Sequence, residues 1–306
     1  MKIVVMGSGG VGGFFGGKLA ASGEDVTFIA RGAHLKAIQK TGLVVKSPTG
    51  DFTAHPVSAT DDPTTLGGPA DIVMVCVKLW DVEEAGEKIL PVIGPETTVI
   101  PFQNGVDGPE RLAAILGQGP VMAGVAHISA VIEKPGIISH NGPLARIFFG
   151  ERDGGESPRG TKFLAVCEKA GIKARLSTNI NQVIWEKFIF LVAFSGMTAM
   201  TRGPIGPIRD DPEKWAMFKA AMMETVELAH AKGVTFKDDP VEGWLPKIEN
   251  MPGDYRASML EDLERGNRLE LPWLSGAVVR LGAASGIETP ANGAIVEALA
   301  PFIDGL

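Results

Sequence analysis

The sequence predicts an α/β protein, with a parallel-sheet domain over residues 1–178 followed by an all-helical domain over residues 179–306. Three observations predict it. Ile3 to Met6 is a short apolar run of strand-favouring type, and it leads straight into a glycine cluster. Similar apolar runs then alternate with helix-like stretches as far as Leu176. From Asn179 onward the strand signals stop and the pattern is helical.

The glycine cluster is the stretch the first domain serves. Gly7, Gly9 and Gly12 have the spacing G-x-G-x-x-G, placed after a strand and before a helix over Phe14 to Ala21. Gly7 permits the tight turn off the strand, Gly9 lets backbone approach a pyrophosphate, and Gly12 lets helix and strand pack closely. The helix N-terminus then points positive peptide dipoles at the anion. Gly7, Ser8, Gly9, Gly10, Val11 and Gly12 are therefore the candidate cofactor-binding loop of a Rossmann dinucleotide-binding domain. The second strand, Asp25 to Ile29, closes the first β-α-β unit, and its end selects the cofactor. An Asp or Glu there would favour the free ribose 2′-hydroxyl of NAD. This chain has Ala30 and then Arg31, whose guanidinium suits a 2′-phosphate, so NADP(H) is the expected cofactor.

Composition bounds the remaining possibilities. A net charge of -7 disfavours nucleic acid as a partner, since phosphate binding needs a basic surface. Cys76 and Cys167 lie in apolar surroundings without metal-ligand spacing, so no metal site is expected and a reducing, cytoplasmic setting is. No signal-peptide pattern precedes the first strand. The longest apolar run, Phe188 to Met200, falls short of the ~18 residues of a membrane span, so no membrane partner is expected.

Asp71 to Val77 is the next central strand, with Lys78 at its carboxyl end, where open parallel sheets bind ligands. Thr97 to Pro101 is another, ending in Phe102-Gln-Asn-Gly105. Asn104 stands where an amide can hold a nicotinamide ribose or a substrate carbonyl. Val121 to Ile132, Gly136 to His140 and Ala145 to Gly150 are expected to be strands and hairpins extending the same sheet. His127 and His140 lack partner spacing for a metal or triad and are expected to be structural.

In the C-terminal half, helices are expected over roughly 179–201, 211–232, 254–266, 273–285 and 290–304. Arg202 to Pro207, Asp239-Pro240 and Met251 to Gly253 punctuate them. The first helix is unusually apolar, yet holds Lys187 in its opening turns; a buried ammonium is expensive unless it is paired or faces a cavity.

In this order, the glycine loop, Arg31, Lys78, Gln103-Asn-Gly105, Asn181-x-x-x-Trp-Glu-Lys187, and Ser258-Met-x-x-Asp262 with Glu270 resemble the ketopantoate reductase family along essentially the whole chain. That resemblance implies an NADPH-dependent 2-keto acid reductase of pantothenate synthesis, with its active site in the cleft between the two domains, working as a homodimer. It also implies roles. Lys187 matches the catalytic lysine, Glu270 the acidic residue contacting the nicotinamide ribose and the lysine, and Ser258 a serine for the substrate carboxylate. Asn104 would lie beside the nicotinamide. Reducing a 2-keto acid requires positive charge and then a proton at the carbonyl oxygen, which an ammonium supplies.

The departures concern the substrate. The family's asparagines one and two turns beyond the lysine are here Leu191 and Ser195, and a third falls near Ile205. Those replacements make the pocket less polar and weaken its preference for a hydroxyl-bearing substrate. Four readings follow: a 2-dehydropantoate reductase with a variant pocket, a relative acting on a more apolar 2-keto acid, a β-hydroxyacid or 6-phosphogluconate-type dehydrogenase, and a non-catalytic NADPH sensor.

Overall fold

The computed structural model describes residues 1–305. In the first half the elements run β1 (Lys2–Met6), α1 (Gly10–Ala21), β2 (Asp25–Ile29), α2 (Gly32–Thr41), β3 (Leu43–Lys46), β4 (Phe52–Ala54), β5 (Ser58–Thr60), β6 (Ile72–Val75), α3 (Val82–Lys88), β7 (Thr98–Pro101), α4 (Gly108–Leu116), β8 (Ala123–Lys134), β9 (Ile137–Gly150), α5 (Pro158–Lys169) and β10 (Lys173–Leu176). The second half is helical: α6 (Ile180–Thr201), α7 (Ile205–Arg209), α8 (Pro212–Ala231), α9 (Pro240–Glu249), α10 (Ser258–Glu264), α11 (Ser275–Ser285) and α12 (Pro290–Leu299). The chain divides into two units, Met1–Val183 and Ile184–Leu306, so α6 starts on the first and runs into the second.

In the first unit, one sheet is parallel throughout, in the order β5-β2-β1-β6-β7. β1 is central and alternates between two apolar layers. Ile3 and Val5 join Phe14, Phe15 and Phe28 on one face, while Val4 and Met6 join Val73, Val75 and Leu112 on the other. Burial on both faces is why β1 and β6 read as continuous apolar runs.

The hairpin expected to extend this sheet builds a second one instead. β8 pairs antiparallel with β9, and β9 continues the order β10-β9-β3-β4. The two strands expected over 136–140 and 145–150 are one strand, offset by a bulge where the register jumps from Ala145 to Asn141. Helix α1 explains the second sheet, because it lies between the two. A Cβ at Gly16 would come within 2.7 Å of Val5 on the first sheet, and one at Gly13 within 2.7 Å of Ile138 on the second. The glycines of α1 beyond the loop motif are thus the means by which one helix touches two sheets.

In the second unit α6 is the core helix. It is long and apolar enough to cross a membrane by length and composition, contrary to the expectation from its apolar run, and 67% of that window is buried in the protein. Asp239-Pro240 is a helix start, not a break. The Asp239 carboxylate accepts from the N–H of Val241 at 2.7 Å and Glu242 at 3.2 Å, with Pro240 as the first residue of α9. The expected helix over 254–266 forms only from Ser258 to Glu264.

Candidate active site

The dinucleotide loop is held by a dense set of contacts. Gly7 has φ +96°, which a side-chain-bearing residue rarely adopts, and its N–H donates to Ile29 O at 3.3 Å. Gly9 is open, with nothing within 4 Å of where a Cβ would stand. A Cβ at Gly10 would lie 1.9 Å from the Ala130 carbonyl oxygen, so the start of α1 touches the backbone of β8. Ser8 is 4% exposed, and its hydroxyl donates inward to Ile29 O at 3.0 Å. Its side chain braces the loop against β2. Val11 is half-buried and packs against the apolar core.

Arg31 stands at the carboxyl end of β2 with its side chain 62% exposed and its guanidinium 3.4 Å from the Asp81 carboxylate. It lines a small cavity with Gly7, Ile29, Val77 and Lys88, where the adenosine end of a dinucleotide would lie. Asp61 lines it too. Lys78 follows β6, with its ammonium 5.5 Å from the Trp80 ring centre, and Asn104 follows β7. Beside it, both amide atoms of Gln103 are buried without a hydrogen-bond partner among the described residues. An orphaned amide at this edge of the sheet fits a ligand group. Gln103 is a candidate residue that the sequence shows only as part of a motif.

The second unit supplies the ionisable pair. Lys187 is half-buried on α6, and burial pulls its ammonium down to about 8 from an ordinary 10.5, against which the negative charge of Glu270 pushes it up. Glu270 is 8% exposed, immediately before the turn Leu271–Trp273. Leu191 is half-buried one turn beyond Lys187. Ser195, a further turn on, is 1% exposed and its hydroxyl lacks a partner among the described residues. Ser258 is exposed as the first residue of α10.

Beside the lysine runs a row of rings that the sequence analysis missed. Trp244 of α9 stacks on Phe190 at 4.5 Å, Phe190 on Phe194 at 5.1 Å, and Phe194 meets Tyr255 at 6.1 Å. The Trp244 indole N–H donates at 2.7 Å to the carbonyl of Glu186, the residue before Lys187. The i, i+4 spacing of Phe190 and Phe194 was visible; Trp244 was hidden because α9 opens on Asp-Pro.

His140 is structural, its ring nitrogens 2.8 Å from the Ser47 hydroxyl and 3.2 Å from Leu144 O.

A parallel nucleotide-type sheet joined to a helical unit that carries a paired lysine defines a class of two-part oxidoreductases. Family models place this chain within it: the ketopantoate reductase PanE/ApbA model matches residues 3–154 and its C-terminal counterpart matches residues 179–302. The chain belongs to the ketopantoate reductase family. It is 32% identical to a 2-dehydropantoate 2-reductase of Mesorhizobium japonicum, over 97% of this chain and 96% of the relative. It is 30% identical to an uncharacterized oxidoreductase, YkpB, of Bacillus subtilis, over 95% of each. Among solved structures, the 2-dehydropantoate 2-reductase of Geobacter metallireducens superposes with a TM-score of 0.91 at 30% identity, covering 98% of this chain and 99% of that one.

Proposed function

We propose that this protein reduces a 2-keto acid to a 2-hydroxy acid with NADPH, and that 2-dehydropantoate is the first substrate to test. The observation that carries the reading is the half-buried Lys187 on α6, kept charged by Glu270. Its ammonium withdraws electron density from the carbonyl oxygen and then donates the proton that the product alcohol needs. NADPH, when bound, supplies the hydride. Arg31 would grip the 2′-phosphate, the Gly7–Gly12 backbone the pyrophosphate, and Lys78, Gln103 and Asn104 the nicotinamide side. Glu270 holds the ammonium in its charged form and in place.

A second reading concerns the substrate's side chain. Leu191 and the rings of Phe190, Phe194, Trp244 and Tyr255 favour a branched or aromatic 2-keto acid over a hydroxylated one. The test is oxidation of NADPH, beside NADH, with ketopantoate and a panel of branched and aromatic 2-keto acids, for wild type and Lys187→Ala. The expected result is turnover that prefers NADPH and falls about 100- to 1,000-fold in the variant with the cofactor still bound. Preference for ketopantoate would settle the first reading, and preference for a bulkier acid the second. NADPH binding without turnover of any acid would leave a sensor.

A further inference from the structure

His34, on the first turn of α2, sits between two backbone groups. One ring nitrogen, Nδ1, accepts from the Gly136 N–H at 3.0 Å, and the other, Nε2, lies 2.8 Å from the carbonyl oxygen of Ser8. A backbone N–H can only donate and a carbonyl can only accept, so the ring is neutral with its proton on Nε2. Gly136 forms the turn between β8 and β9, and Ser8 is the second residue of the glycine-rich loop. The imidazole therefore ties three pieces of backbone together: the loop, α2 and the hairpin turn.

In a trans peptide the carbonyl and the following N–H point in opposite directions. Drawing the Ser8 carbonyl toward His34 turns the Gly9 N–H away from it. We propose that His34 is a positioning residue of the dinucleotide site, bracing the loop against the β8–β9 hairpin so that the loop N–H groups are set for a pyrophosphate before it arrives. This rests on the reading that the loop binds NADPH. Ser8 and the close approach of Gly10 to Ala130 fix the same loop from its other sides. Preorganised donors bind more tightly because less ordering remains to be done on association.

Protonation breaks the brace, because an Nδ1–H would face the Gly136 N–H. Burial holds the His34 imidazole below its ordinary value, with the Ser8 carbonyl pulling the other way. The charged groups on the elements against the ring include Lys36 and Lys40 on α2, Arg31 just before it, and Glu133 and Lys134 beside the hairpin turn, with Glu133 paired to Lys46 at 2.7 Å. The brace is thus complete at neutral pH and is lost on acidification, at a pH below the ordinary imidazole range.

The experiment is NADPH affinity by fluorescence titration from pH 5 to 8 for wild type, His34→Leu and His34→Gln, with melting temperature and KM against kcat alongside. Glutamine offers one donor and one acceptor; leucine offers neither. The expected result is a roughly tenfold weaker Kd for His34→Leu at pH 7.5, with the loss falling on KM for NADPH, and recovery of most of it in His34→Gln. Wild-type affinity should also fall on acidification toward pH 5 more steeply than that of His34→Gln. Unchanged affinity in His34→Leu, or glutamine no better than leucine, would overturn the proposal. Should His34→Leu not fold, the pH comparison of wild type with His34→Gln decides alone, and identical profiles would overturn it. A wild type that binds no NADPH would remove the dinucleotide reading itself, and the brace with it.

Discussion

If Lys187 is the proton donor proposed above, it must hold its proton until the carbonyl oxygen needs it, and the pH dependence of turnover then reports its surroundings. The lysine is protonated below about 8, and reduction should fall as pH rises through that value. Burial lowers the lysine and Glu270 raises it, so Glu270→Gln should move this alkaline limb to lower pH. A limb that stays in place in the variant, measured as kcat between pH 6 and 10, would separate Glu270 from the lysine. The same balance has a sign for stability. A lysine whose folded value lies below its unfolded one makes the fold less stable at neutral pH, and that penalty disappears only as pH rises from about 8 toward 10.5. A charge that costs stability at this position is what the proposed role for Lys187 would require.

At the scale of elements, the parts that were legible in the sequence are those whose own residues decide their form. β1, β2 and β6 are apolar on both faces and could be little else, and the loop after β1 announced itself through glycine spacing. What was not legible depends on partners remote in sequence. Nothing local in β8 and β9 says that they leave the first sheet; that follows from α1 having two glycine faces, Gly16 on one and Gly13 on the other. His34 escaped notice because both its partners are backbone atoms, and the more distant, Gly136, lies on another element. Lys187 stood out as an ammonium in an apolar helix, but its pairing with Glu270 came through the resemblance, since a lone lysine in such a helix does not name its partner. Among helices, α12 shows the same non-local logic. The buried Glu224 of α8 accepts from the N–H groups of Ala291 at 2.6 Å and Asn292 at 3.0 Å, and from the Asn292 side-chain amide at 2.7 Å. A carboxylate at a helix N-terminus satisfies donors that would otherwise be buried and unpaired. Glu224→Ala should therefore lower the unfolding free energy by about 3 kcal/mol in urea titration, far more than an exposed glutamate would.

For the whole molecule, each of the two units has buried apolar side chains of its own, and the loop that would hold NADPH belongs entirely to the first. A ligand that binds only folded protein stabilises what it binds, by about 2.7 kcal/mol at a hundred times its Kd. Calorimetry with NADPH should thus raise the unfolding transition that involves Met1–Val183, and proteolysis of that unit should slow. A 2-keto acid added without cofactor should do much less. Equal protection by NADH would count against Arg31 as the selector of the phosphorylated cofactor.

The close approach of Gly10 to Ala130, and of Gly13 to Ile138, bears on how far this cofactor module can be cut or transplanted. The first strand, loop and helix look like a portable cassette, since all of the fingerprint lies within a dozen residues. Here they are not portable. A fragment ending before β8 would leave one flank of α1 as bare glycine, with no side chains to shield it and no hairpin to stop the helix from fraying. Grafting this loop into another sheet, or recoding it for another dinucleotide, has to carry the β8–β9 hairpin along as part of the same unit of inheritance.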